Sequence, residues 1–339
     1  MLGIINATNE FNSLKKLTQH RSLAALPFGG RYRLIDFMLS NMVNSGIHSV
    51  AIFTGHENRS IMDHLGSGKQ WDLDRKRDGL FVFTPNCPCE KIECGSFHHL
   101  DRNIDYLLRS KQKYVVITAA HIVTSINFRP ILLRHIEMRS DITEVYYKGR
   151  SLQTYILSKD LLLTLIKGYK DKGNIGINDI VRENPTSLRI HPYEAQQYVA
   201  IIDSIESYYE KSLAILQPTV WKQLFHNDAP IFTKVKDEPP TRYSKGAKVS
   251  NSMIANGSII EGTIENSILF RSVKIGKGSI IRNSIIMQKT EIGDNCILDG
   301  VILDKDVKIV DGTVLTGAKQ GLSPFVVEKG TEQGALMNL

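Results

Sequence analysis

Three places in this sequence hold side chains whose types and spacing could do chemistry. The first is Asn6-Ala7-Thr8-Asn9-Glu10-Phe11-Asn12-Ser13, which stands where a nucleotide-binding unit keeps its phosphate loop. Such a loop works through bare backbone, because glycines let N–H groups close on phosphate oxygens ahead of a helix. Here no glycine occurs, and Phe11 beside Glu10 would hinder close approach and repel phosphate. The second is Cys87, Cys89 and Cys94 with His98 and His99 just beyond, soft ligands in the order C-x-C-x4-C-x3-H. That spacing is not a common zinc pattern and it falls in a loop, so free thiols in a reducing compartment are the plainer reading. The third is His121, just after the apolar run Tyr114–Thr118; a lone histidine there is more often packed or hydrogen-bonded than catalytic.

These residues must be positioned by strands and helices, and the pattern supplies them. Leu2–Ile5 reads as a buried strand, Leu34–Met42 as a helix stopped at Gly46, and Val50–Thr54 as a second strand, an order that predicts a parallel crossover. Helices are expected over His56–Leu65, Leu100–Ser110, Ile131–Met138, Leu161–Ile166 and Ile177–Arg182. Strands are expected at Tyr114–Thr118, Thr143–Tyr147, Tyr155–Ser158 and Tyr198–Ile202, with Ser204 capping a last helix. Alternation of this kind implies a mostly parallel sheet covered on both faces. Beyond it, Pro230, Pro239 and Pro240 among charges read as an extended linker. From Ala247 onward Ile275, Ile292 and Ile309 open similar hexads at a constant interval, with weaker copies at Ile254 and Ile260. An aliphatic residue every sixth position, followed by a small or turn residue, is the pattern of a hexapeptide β-helix, and about four coils fit before Leu315. The expected organisation is an α/β domain over residues 1–226, a linker over 227–246 and a β-helix with a tail over 247–339.

The runs PFGGRYRLIDFMLSNMVNSGI (Pro27 to Ile47) and WDLDRKRDG (Trp71 to Gly79) carry a resemblance. The chain resembles ADP-glucose pyrophosphorylase, the glucose-1-phosphate adenylyltransferase of bacterial glycogen synthesis, and most of all its shorter, catalytically impaired subunit type. The resemblance implies a Rossmann-like nucleotidyltransferase domain of the GT-A-like kind, followed by a left-handed parallel β-helix of hexapeptide repeats. It also implies where the reaction's groups should stand. The catalytic relatives' GGxGxRL corresponds, without a gap, to Thr8 through Leu14, so the phosphate-facing Arg becomes Ser13. The basic residue of AKPAVPFGG becomes Leu23. The Mg²⁺-binding Asp of GDH becomes Ala120, and the second metal Asp, from DVGT, aligns with Ile201, leaving Asp203 as the one acid nearby. The sugar-binding stretch with its EKP segment has no counterpart in residues 141–173. Nucleotidyl transfer needs groups that hold a triphosphate and carboxylates that hold its Mg²⁺, so these losses together predict a scaffold without its reaction. By the same resemblance His20, Arg21 and Arg33 match positions where bacterial members bind sugar-phosphate effectors between the two domains. Exposed or inter-subunit arginines are the rival reading of those three.

A formal charge of +7 over 339 residues, with acids interleaved, fits a protein handling anionic metabolites better than a nucleic-acid surface. No secretory n-region and no apolar run of spanning length occur, so a cytoplasmic chain with no membrane partner is expected. The function expected is therefore a regulatory or structural subunit joining a catalytic ADP-glucose pyrophosphorylase chain in a hetero-oligomer, a heterotetramer by resemblance. It is expected to hold no cofactor of its own, Mg²⁺ being the partner's. Three alternatives stay open: a weakly active adenylyltransferase using Asp203, a sugar-phosphate sensor without an enzymatic partner, and a hexapeptide acyltransferase. The last needs a histidine between coils, and none follows His226.

Overall fold

The computed structural model describes residues 1–85, 96–173, 175–317 and 323–334. Leu2–Ala7 is the central strand of a seven-stranded sheet, buried at five of its six positions. Across the sheet the strands run Ile190–Glu194, Ile142–Tyr147, Arg150–Ser158, Tyr114–Ala119, Leu2–Ala7, Ser49–Thr54 and Gly79–Phe83. Only Arg150–Ser158 runs against its neighbours, pairing antiparallel with both Tyr114–Ala119 and Ile142–Tyr147. The rest is parallel, as continuous aliphatic runs buried on both faces require. The helix Leu34–Asn44 packs Ile35, Met38, Leu39 and Met42 against one face, and Lys159–Tyr169 packs Leu162, Leu165 and Ile166 against the other.

Element bounds differ from expectation where local chemistry intervenes. The helix expected over Leu100–Ser110 is two, Phe97–Arg102 and Ile104–Arg109, broken at Asn103, whose amide donates to the His99 carbonyl. Trp71 is 1% exposed and packs on the His64 ring. Four further elements, Gly79–Phe83, Ile122–Thr124, Ile190–Glu194 and the helix Pro218–Leu224, carry too little periodicity to be read from sequence.

From Arg242 the chain winds into three parallel sheets of short strands, each strand pairing with the equivalent one in the next coil. The rung Lys274, Glu291, Lys308 reproduces the 17-residue interval. The stack is longer at both ends than four coils between Ala247 and Leu315. Arg242–Tyr243, in the stretch read as linker, already pairs with Ile259–Ile260, and Glu332–Gln333 closes the far end. Inward aliphatics such as Ile264, Ile281 and Leu298 form the coil core. Each corner carries a column of left-handed residues, for example Asn251, Asn266, Asn283 and Gly300. The asparagines are joined by amide hydrogen bonds running up the column to Asp299.

The β-helix lies against the sheet domain. Leu14, Phe28, Phe37 and Tyr208 share one core with Ile268, Phe270, Ile285 and Ile302. Tyr208 donates to the Pro27 carbonyl at 2.7 Å and Tyr209 to the Asn283 carbonyl at 2.5 Å.

Candidate functional site

The turn after the first strand builds a cleft of about 280 Å³, lined among others by Asn9, Glu10, Phe11, Lys15, Ser22 and Glu57. Its backbone is organised by its own side chains. The Asn6 Oδ1 accepts from the Thr8 backbone N–H at 3.2 Å and from its hydroxyl at 2.6 Å, an Asx turn in place of a glycine turn. Ser13, which the resemblance matches to a phosphate-facing Arg, donates its hydroxyl to the Asp203 carbonyl at 2.6 Å. Leu23, which the resemblance matches to a basic residue, is buried with Leu14 and Leu17. Phe11 sets its ring edge against His121, centroids 5.1 Å apart.

Next to this loop stand Ala120 and Ile201, the positions that the resemblance matches to metal carboxylates. Ala120 is 3% exposed and its backbone N–H donates to the Asn6 carbonyl. Ile201 pairs with Ile122 in the short antiparallel ladder Val199–Ile201 against Ile122–Thr124, a register that keeps Asp203 two residues further along. Asp203 is occupied by the Arg150 guanidinium at 2.5 Å. Burial pushes Asp203 up, but hydrogen bonds from Arg150 and Ser207 and the charge of Arg150 outweigh it, so its carboxyl titrates below the usual range. Burial lowers His121 to about 4, so the imidazole is neutral at pH 7, and its Nδ1 has no partner among the described residues. Mg²⁺ wants several hard oxygen ligands, and one carboxylate already satisfied by a guanidinium beside a neutral imidazole does not fit it. Among the described residues, no three of His, Cys, Asp and Glu cluster as a metal site. Cys87, Cys89 and Cys94 lie outside the described residues; His98 donates its Nδ1–H to the Lys170 carbonyl at 3.3 Å, and His99 is buried in the helix Phe97–Arg102.

A second set of charged groups gathers where the β-helix meets the sheet domain. Arg21 and Arg33 both reach it, whereas His20 is exposed outside it. Arg21 is 3% exposed and bonded to Asp304, itself 2% exposed, at 2.8 Å, so its charge is spent on holding the two domains together. Arg33 precedes the helix Leu34–Asn44; Asp36 caps its backbone N–H at 2.9 Å, and its guanidinium reaches the Ser60 hydroxyl at 2.9 Å. Burial, helped by Arg21 and Arg271 against the pull of Asp36 and Asp63, brings Arg33 down to about 10. Burial also lowers Arg271 and Lys236, each repelled by another cation, and takes Lys305 to about 7. Asp36, Asp63, Glu238 and Asp304 offset part of the repulsion, but cations held this close still repel one another, and an added anion would relieve that. Sequence reasoning missed Arg150, Lys236, Arg271 and Lys305. Nothing local marks the first two, while Arg271 and Lys305 stand beside corner positions of the repeat, where the coil pattern tolerates any polar side chain.

Comparison with known proteins agrees with both halves. Residues 12–155 match the nucleotidyl transferase family and residues 239–322 the GlmU-like, C-terminal hexapeptide family. The chain is 52% identical over 339 residues to the glycogen biosynthesis protein GlgD of Bacillus subtilis (strain 168), covering all of this chain and 98% of that protein. It is 55% identical to the protein of the same name from Geobacillus stearothermophilus, with the same coverage. A glucose-1-phosphate adenylyltransferase of Thermotoga maritima is 30% identical, over 83% of this chain and 76% of that enzyme. With full-length identity above one half and both domain types in place, the chain belongs to the GlgD family of glycogen biosynthesis proteins, a branch related to the glucose-1-phosphate adenylyltransferases.

Proposed function

We propose that this chain is a regulatory subunit that joins an active ADP-glucose pyrophosphorylase chain in a cytoplasmic hetero-oligomer, a heterotetramer, and tunes its partner without turning over substrate itself. The observation that carries the reading is the Arg150–Asp203 pair, which puts a side-chain cation on the acid nearest Ile201, while Ala120 and Ile201 stand at the positions that the resemblance matches to metal ligands. Phosphoryl-type transfer without charge compensation loses orders of magnitude in rate. Mg²⁺ and the reacting ATP then belong to the partner. The cations at the domain junction, Arg33, Arg271, Lys236 and Lys305, support a sugar-phosphate effector bound there, where it would bias how the two domains sit and so the assembly.

The test is purification of the chain alone and with its catalytic partner. Mixing should change the partner's rate or its affinity for substrate, and the lone chain should form ADP-glucose from ATP and glucose 1-phosphate far more slowly than the complex. A lone chain as fast as the complex ends the reading. The second reading, a weak adenylyltransferase, is favoured by Asp203 lying close enough to His121 for the two to interact electrostatically. Under it, Mg²⁺-dependent turnover by the isolated chain disappears in Asp203→Ala.

A further inference from the structure

The three faces of the β-helix differ in what they point outward. Alternate residues of each short strand face the coil core and the outside. On the face that contains Ile268–Leu269, Ile285–Ile286 and Val301–Leu303, the outward residues Ile268, Ile285 and Ile302 are aliphatic, and the sheet domain covers them. On the face that begins with Arg242–Tyr243, the outward residues include Lys274, Glu291, Lys308 and Glu332, all exposed to solvent. The third face combines an aliphatic outer column with exposure. Its strands Thr263–Glu265, Ile280–Arg282, Ile297–Asp299 and Val314–Thr316 send Ile264, Ile281, Leu298 and Leu315 into the coil core. Ile280, Ile297 and Val314 then stand outward on successive rungs, the first half-buried and the other two 42% and 52% exposed. Single exposed aliphatics are ordinary, but a column of them in register is a contiguous apolar strip, which marks a contact surface. Beside it runs a second outward column, Glu265, Arg282 and Asp299.

We propose that this third face binds a second copy of the same chain, about a two-fold axis running along the strands between Ile280–Arg282 and Ile297–Asp299. Such an axis reverses the order of the rungs and sets each column against its own counterpart. Ile280 then meets Ile297 of the second copy, Thr263 meets Val314, and Arg282 meets Asp299, each contact occurring twice. Charge selects this register. A shift of one rung either way sets Arg282 on Arg282 or Asp299 on Asp299, and an axis along the coil stack sets the aliphatic column against the charged one. Both charged partners have capacity left. Arg282 meets Glu265 of its own chain at 3.3 Å through Nε, leaving the rest of its fork, and Asp299 takes the Asn283 amide on Oδ1, leaving Oδ2. Rungs about 4.8 Å apart and three residues wide make a small face, short of the roughly 1,000 Å² that a stable interface buries, so the lone chain associates weakly. The contact tightens wherever other interfaces hold two copies close together. It goes beyond the hetero-oligomer reading and does not depend on it.

The experiment is sedimentation velocity on the full chain, without a catalytic partner, over a wide range of concentration. The mean mass should rise from that of one chain toward that of two. Ile297→Lys should weaken association on the order of tenfold or more. Arg282→Glu and Asp299→Arg should each weaken it as well, because each sets like charges together at both contacts. An equimolar mixture of those two variants should associate about as well as the native chain, since each then offers the other an unlike charge at both contacts. Thermal melting followed by circular dichroism shows whether each variant is folded; should Asp299→Arg not fold, Ile297→Lys and Arg282→Glu decide alone. A chain that stays monomeric throughout overturns the proposal, and so does a dimer indifferent to Ile297→Lys and Arg282→Glu. If the lone chain is monomeric and Ile297→Lys instead weakens its binding to the catalytic chain, the face belongs to that partner and the homotypic contact is overturned. None of these outcomes touches turnover or its modulation, so the regulatory reading stands or falls by its own assay.

Discussion

Arg21 and Asp304 form an ion pair inside the protein, and each is costly without the other. Arg21→Ala strands a carboxylate that is 2% exposed, for which a loss of about 3–5 kcal/mol is expected, read as a lower urea midpoint. Replacing both partners together by apolar residues of similar size should recover most of it. The buried histidines set a pH window. An unfolded histidine takes up its proton near 6.5, whereas His121 does so only near 4, so between those values the unfolded chain binds more protons and stability falls as pH drops. From His121 alone the loss by pH 4 is on the order of 3 kcal/mol, and His64, His99 and His135 are lowered in the same direction. Urea midpoints between pH 7 and 4 should show this slope, and His121→Gln should flatten it. At this scale Ser13, Leu23, Ala120 and Ile201 could be named from the sequence as the positions that the resemblance matches to the reaction's groups. It did not tell what replaced them, because Arg150 meets Asp203 and Arg21 meets Asp304 only through the fold.

The β-helix turns on close backbone approach at its small residues. A Cβ on Gly276 would lie 2.4 Å from the Gly293 carbonyl oxygen, and one on Gly293 would lie 2.8 Å from the Asp311 nitrogen, so neither coil can make room without shifting the next. Gly149, in the hairpin between Ile142–Tyr147 and Arg150–Ser158, has φ +74° but nothing within 4 Å of an added Cβ. Gly149→Ala should therefore cost about 1–2 kcal/mol, from backbone strain alone. Gly293→Ala should cost more, about 3 kcal/mol, because overpacking moves neighbouring coils. Denaturant curves on the two variants decide the order, and equal costs would contradict it. The repeat was legible because an aliphatic every sixth residue is a physical requirement of the coil. Its ends were not: the rung from Lys308 to Glu332 spans 24 residues, so the period lapses there. The first rung, Arg242–Tyr243, holds two exposed polar-tipped residues with no aliphatic signal.

The sheet domain and the β-helix share one apolar core and the Arg21–Asp304 pair, so the two halves should unfold together. Calorimetry should give a single transition; two separated transitions would mean that the junction contributes little. Both fold types could be read from strand–helix alternation and the hexad period, but their docking could not, since Leu14, Phe28 and Tyr208 look like ordinary core residues until Ile268, Ile285 and Ile302 are found against them. Asp203 gives the molecule one more property. A counter-ion carried on a side chain cannot be washed out, and Arg150 is bonded into the same chain as the acid it neutralises. A chelator should therefore leave the surroundings of Asp203 as they were, read as an unchanged urea midpoint with and without it.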